Sequence, residues 1–188
     1  MEPNFKFVLD AFASKDTVKT KKDIDLRINS ILIRRGKLSY DVLSEEETPG
    51  KFNPQHIKLH NIIANISLKA LQNDSINAAI KRLSVDEQSG FELRKLSLKV
   101  IANNKGMKIE NFAIEMPGTE MKMDTIRMEY DSLKALNHFA DNVRFSFRTL
   151  PSHVTLNDIS AFVPALSNFK EKLDLNIDVE GTLNQLNC

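Results

Sequence analysis

The chain has a single cysteine, Cys188, and it is the last residue. No internal disulfide can form, which suits the cytoplasm and equally an oxidising compartment where stray thiols are avoided. Tryptophan is absent and tyrosine occurs twice, so aromatic cages and sugar-stacking platforms are poorly supplied. Six glycines are too few and too scattered for a phosphate-cradling loop. No run of about 18 apolar residues is present to cross a membrane as a helix. Charge of one sign is also missing: the net charge is +1, with Lys and Arg scattered between apolar positions. Nucleic acid needs a concentrated basic face, so no nucleic-acid partner is expected.

What remains is bulk apolar filler, 11 Phe and 6 Met, in a chain of 188 residues. That length is most simply one domain, large enough to bury roughly 70% of its unfolded surface. The stretch from Phe91 to Tyr130 says nearly the same thing three times. Its pieces are Phe91–Leu98, Met107–Ile114 and Met121–Met128, each apolar at relative positions 1, 3, 6 and 8 and polar at 4 and 5. Alternation with period two marks a strand with one dry and one wet face. The central step of three breaks that period and would turn the second half of a straight strand inside out. A bulge or corner at the polar pair keeps all four apolar side chains on one side. Leu93, Leu96, Leu98, Ile109, Phe112, Ile114, Met121, Met123, Ile126 and Met128 are therefore expected to line one apolar interior.

The same frame recurs at Leu26, Ile28, Ile31 and Ile33, and at Ile57, Leu59, Ile62 and Ala64. Ile76, Ala78 and Ile80 alternate, and Leu83 and Val85 follow after Lys81-Arg82. Arg34-Arg35-Gly36-Lys37 reads as a hairpin turn into Leu38, Tyr40 and Val42. Ser44–Gln55 is a loop, and turns are expected at Asn73-Asp74 and Ser89-Gly90. Short helices are expected over Phe5–Ala13, after an Asp131-Ser132 cap, and after an Asn157-Asp158 cap up to Pro164. Further strands cover Val143–Phe147, Val154–Leu156 and Leu173–Val179. The sum is an all-β chain of about ten strands with two or three short helices. Repetition of one bent unit points to a stacked, elongated sheet structure, each unit burying its face against its neighbours.

Catalytic, metal and cofactor sites are not expected. Glu45-Glu46-Glu47 reads as a solvated loop without His or Asp ligands at useful spacing. His56 and His60 alternate with Ile57 and Leu59, which places them on the wet face of a strand, roughly 13 Å apart. Ser152, His153 and Asp158 lack a nucleophile elbow and an oxyanion loop. Asp174 and Asp178 read as solubility on the outer face of a strand. The apolar face is the feature with functional potential. Met107, Met116, Met121, Met123 and Met128 cluster with Phe112, and flexible thioethers suit an interior that meets variable apolar partners.

Four stretches carry a family likeness: Ile28–Asp41, Ser89–Leu96, Ile109–Pro117 and Asn157–Pro164. With them, the chain from about residue 24 resembles the TamB/AsmA-like envelope proteins of diderm bacteria, in their Bacteroidetes form. The resemblance implies an elongated, bent antiparallel sheet forming a taco-like groove with an apolar lining. It implies that residues 1–188 are an internal fragment of a longer periplasmic protein, anchored in the inner membrane by a part not present here. The opening Met1-Glu2-Pro3-Asn4 reads as a cut end rather than a leader, in keeping with this. Expected partners are lipid acyl chains, an outer-membrane barrel protein through the missing C-terminal part, and other copies of the fragment through its open edges. The expected function is non-enzymatic phospholipid transport between the membranes and outer-membrane biogenesis. The alternative is a structural or protein-binding β scaffold that assists outer-membrane protein assembly by edge-strand pairing.

Overall fold

A computed structural model describes residues 25–72 and 74–187. The helix expected over Phe5–Ala13 lies outside those residues. Eleven strands form one antiparallel sheet. They are β1 (Asp25–Asp41), β2 (His56–Gln72), β3 (Ser75–Glu87), β4 (Glu92–Ala102), β5 (Gly106–Glu115), β6 (Glu120–Glu129), β7 (Arg144–Thr149), β8 (Ser152–Thr155), β9 (Lys172–Leu175), β10 (Asp178–Thr182) and β11 (Gln185–Asn187). The spatial order is β1-β2-β3-β4-β5-β6-β7-β10-β11, and β8 bridges β6 to β9. A meander of this kind follows from short hairpins between consecutive strands. Gln72 pairs directly with Ser75 across the turn expected at 73–74. Gly90, with φ of 97°, sits in the turn before β4.

The sheet is open and curled, with no second layer among the described residues. Among the described residues, the substantial contacts between strands all join strands that pair. The curl has a local cause. Where a strand carries one more residue than its partner, the ladder bends and twists more strongly. Such shifts form a diagonal crease. Asn29-Ser30 lie opposite Ser67, between the pairs Ile28–Leu68 and Ile31–Ile66. Lys81 is extra between Ile80 and Arg82 against β2. Leu98 faces the Asn111-Phe112 step of β5. Asn111 and Asp124 bulge together, because the β5–β6 pairing stays in step from Glu110–Thr125 to Phe112–Met123. Finally, Asp124-Thr125 oppose Arg148 alone. In β1, β3, β5 and β6 the crease thus falls at the polar pair of the repeated frame. Asn111 adopts φ of 54° there, and Asn61 adopts 52° in the β2 copy of the frame. Asparagine tolerates this left-handed region because its short polar side chain finds local hydrogen bonds.

Several expectations are corrected. Arg34–Lys37 is not a hairpin turn, since β1 runs unbroken from Asp25 to Asp41. Arg35, at φ of 56°, is one more bulge, and Gly36 pairs with Ile62 where an added Cβ would meet Ile33 at 2.7 Å. The helix after Ser132 is a 3-10 turn over Leu133–His138 and a four-residue helix α1, Phe139–Asn142. Ser132 holds the cap position but makes no side-chain cap bond. Leu173–Val179 is two strands, because β9 pairs with β8 while β10 pairs with β7. Asp174 and Asp178 accordingly sit on different strands, and Asp178 is ion-paired with Arg148. Asn157 and Asp158 do not cap a helix. The 3-10 turn Leu156–Ile159 starts from Thr155, and the Asp158 carboxylate accepts from the Gly118 N–H at 3.2 and 3.0 Å.

Candidate apolar binding face

Residues directly opposite in paired strands share a face. Following the pairs across the sheet gives unbroken apolar rows. One is Ile28–Leu68–Ala78–Val100–Ile109–Ile126–Phe147–Val179, across eight strands. A second is Ile33–Ala64–Leu83–Leu96–Ile114–Met121. A third joins Ala102, Met107, Met128 and Phe145. Leu98 pairs with Ile80, Phe112 with Met123, and Leu93 with Val85. All ten residues singled out from the sequence therefore lie on one face, on both sides of the crease. Leu93 alone among them is buried, and the other nine are half-buried. Sequence reasoning confined the lining to β4–β6. The rows extend it to β1–β3, β7 and β10, and the recurrence of the frame in β1 and β2 was the available signal.

This face is not a packed core. Among the described residues the buried apolar ones are only Ala64, Leu93, Ala102, Tyr130, Val143 and Val179. On the edge strand β1 the face is fully open, with Ile31, Ile33, Leu38 and Tyr40 exposed. At the β7 side, Phe139 of α1 stacks on Phe145, which stacks on Phe147, with centroids 6.3 and 6.2 Å apart.

The opposite face carries the charge. Lys95 pairs with Glu115 and Lys99 with Glu110 across β4–β5, each at 2.8 Å. Lys108 joins Glu110 at 2.5 Å. Hydrogen bonds from Lys108 and Lys99 hold the Glu110 carboxyl down at about 2. Glu120, bonded to Lys122, is also lowered. Such exposed pairs add little stability individually, but they keep one surface of a thin sheet wet.

His56 departs from expectation. It lies on the charged face as expected, opposite Asp41, yet it is buried under the 42–55 loop. Its Nδ1–H donates to Asp41 Oδ1 at 3.2 Å and its Nε2–H donates to the Glu45 carbonyl at 2.9 Å. Each ring nitrogen thus faces an acceptor, and the Asp41 hydrogen bond raises the ring's pKa. His60 is exposed as expected, 3.8 Å from Asp86. Asp41, Glu47 and His56 place potential ligand atoms within 4.8 Å of one another. Both His56 nitrogens are taken up in hydrogen bonds to Asp41 and Glu45, and Lys58 bonds Glu47 at 3.0 Å. The cluster is an ion-pair network that ties the loop to β2. Ser152, His153 and Asp158 form no relay either. Ser152 Oγ donates to the Leu150 carbonyl at 2.6 Å and accepts from the Lys122 N–H, while Asp158 is held by Gly118. Among the described residues, no helix is long and apolar enough to cross a membrane.

Comparison of the chain with protein-family models, with curated proteins and with solved structures finds no match. Fold and face together define the class: among the described residues, an open, creased, single-layer antiparallel sheet, apolar on one side and charged on the other.

Proposed function

We propose that the apolar face holds lipid acyl chains, and that the chain is a non-enzymatic groove segment of a periplasm-spanning, TamB/AsmA-like carrier of phospholipid. The carrying observation is the set of apolar rows that cross the sheet while their side chains stay half-exposed. An exposed apolar area of this extent marks an interaction surface. A methylene entering it gains about 0.8 kcal/mol, so passive burial suffices to hold a chain. The TamB/AsmA-like likeness points to the same ligand. The inner-membrane anchor and the outer-membrane barrel partner belong to this proposal and rest on the likeness alone. The test is organic extraction of purified protein followed by lipid mass spectrometry, with fatty-acid titration of the delipidated protein. Co-purified phospholipid and saturable binding are expected. Absence of both overturns the reading.

A second reading is favoured by one separate observation. The outer edge of β1 is unpaired among the described residues, seventeen residues long, and flanked by exposed Ile31, Leu32, Ile33, Leu38 and Tyr40. An edge of this kind accepts another strand. A scaffold that works through β1 binds an extended peptide and no lipid, so the same extraction separates the two.

A further inference from the structure

Between β8 and β9 the chain leaves the sheet for residues 156–171. Its neck is closed by the Asn157 N–H donating to the Phe169 carbonyl at 3.0 Å. Its base is fixed to the β5–β6 turn. The Thr155 N–H donates to Thr119 Oγ1, Thr155 Oγ1 donates to the Gly118 carbonyl, both at 3.0 Å, and Asp158 accepts from the Gly118 N–H. Space is tight there, since a Cβ on Gly118 would meet Thr155 at 2.6 Å. Base and tip differ in how they are held. The tip contributes Phe162, whose ring lies 4.7 Å from Phe52 of the 42–55 loop and 4.9 Å from Phe91. Phe91 precedes β4 in alternation with Leu93, the buried member of the ten face residues, so the contact falls at the end of the apolar face. Yet Phe162, Val163 and Phe169 are exposed by 44, 45 and 52%. Apart from the neck bond to the Phe169 carbonyl, the backbone bonds of 160–169 are local, joining residues three or four apart. Neither 3-10 turn of this segment, Leu156–Ile159 or Pro164–Leu166, holds a buried residue.

We propose that residues 156–169 form a displaceable strap closing one end of the apolar face, with Phe162 as the latch and the Gly118 contacts as the fixed base. The inference rests on the acyl-chain reading of the face and adds its control: an acyl chain enters at this end when Phe162 leaves its seat between Phe52 and Phe91. Segments with few buried contacts open locally without unfolding the whole.

Two measurements test it. Amide exchange on the ligand-free protein comes first. The amides of Leu166, Ser167 and Phe169 are expected to exchange by local opening, much faster than those of β5. Phe162→Ala is expected to speed them roughly tenfold more, from the loss of two ring contacts, with β5 unchanged. Strap amides that exchange at the rate of β5 overturn the proposal whatever the face binds. Stopped-flow uptake of a fluorescent fatty acid comes second, with Phe162→Ala expected to associate several-fold faster than wild type. Equal rates, with binding present in both, overturn the strap and leave the acyl-chain reading standing. Binding by neither protein overturns both.

Discussion

On the proposed acyl-chain reading, a charge placed on one side of β4 should weaken binding and the same charge on the other side should not. Leu96 lies in the row between Leu83 and Ile114, half-buried. Ser97 pairs with Ala113 on the other face, two residues from each of Lys95 and Lys99. Leu96→Asp removes part of a leucine's burial, about 1 kcal/mol at half exposure, and partly desolvates a carboxylate, about 1–3 kcal/mol. The expected loss of stability is about 2–4 kcal/mol. Ser97→Asp gains lysine neighbours and should stay within about 0.5 kcal/mol of wild type. If the new carboxylate holds three methylenes of a bound chain off the face, about 2.4 kcal/mol of binding disappears, near 50-fold in Kd. The assay is fluorescent fatty-acid titration, with urea midpoints taken on the same preparations to separate lost binding from lost fold. Folded Leu96→Asp protein that binds like wild type refutes the reasoning, and so does equal loss in both variants.

Three more predictions concern the frame around that face. Asn111→Gly should leave the urea midpoint nearly unchanged, while Asn111→Ala should cost about 1 kcal/mol at its φ of 54°. Deleting Asn111 turns Phe112 and Ile114 toward the charged face and should prevent folding; a deletion variant with the wild-type midpoint would falsify the crease as the cause of the shared face. The raised pKa of His56 means that its hold on the 42–55 loop is complete below about 6.5 and is lost as pH rises through the folded value. Amide protection of that loop should therefore fall on the alkaline side of 6.5 in wild type and be pH-independent in His56→Gln; matching profiles in the two proteins would remove the imidazolium from the account. Light scattering at high concentration should show self-association through β1 that Ile33→Lys suppresses, and a strictly monomeric wild type counts against an active edge.

Much of this architecture is written in the frame itself. The polar pair in Met107–Ile114 marks the point where β5 must bulge, and Asn111 is a residue that tolerates the backbone a bulge requires. Arg34–Lys37 shows where local reading stops. A basic run with a glycine reads equally as a turn or as a bulge, and only the seventeen-residue partner β2 decides it. Leu173–Val179 alternates as one strand, yet it changes partner at Asn176-Ile177, where Thr149 bonds both the N–H and the carbonyl of Ile177. His56 alternates toward solvent and is buried by a loop whose course no periodicity encodes. That the ten residues share a face was legible in the frame; how open that face is was not. Alternation writes a covered core and a bare surface in the same letters.

That openness follows from how the sheet holds itself. A face that curls through bulges in β1, β3, β5 and β6 packs its rows sideways, neighbour on neighbour, and leaves the outer side of each row free. On the charged side the crease is clamped, because Glu110 takes both Lys108 and Lys99 at the point where β4 and β5 fall out of step. With that carboxyl held at about 2, the clamp persists through mildly acidic conditions. The bulged backbone ladder thus sets the curl, with no second layer among the described residues. The apolar rows are then left half-buried, and under the proposed reading a flexible hydrocarbon would complete them without displacing any part of the sheet. Methionines at 107, 121, 123 and 128 concentrate along β5 and β6, where unbranched side chains can follow an occupant of irregular shape.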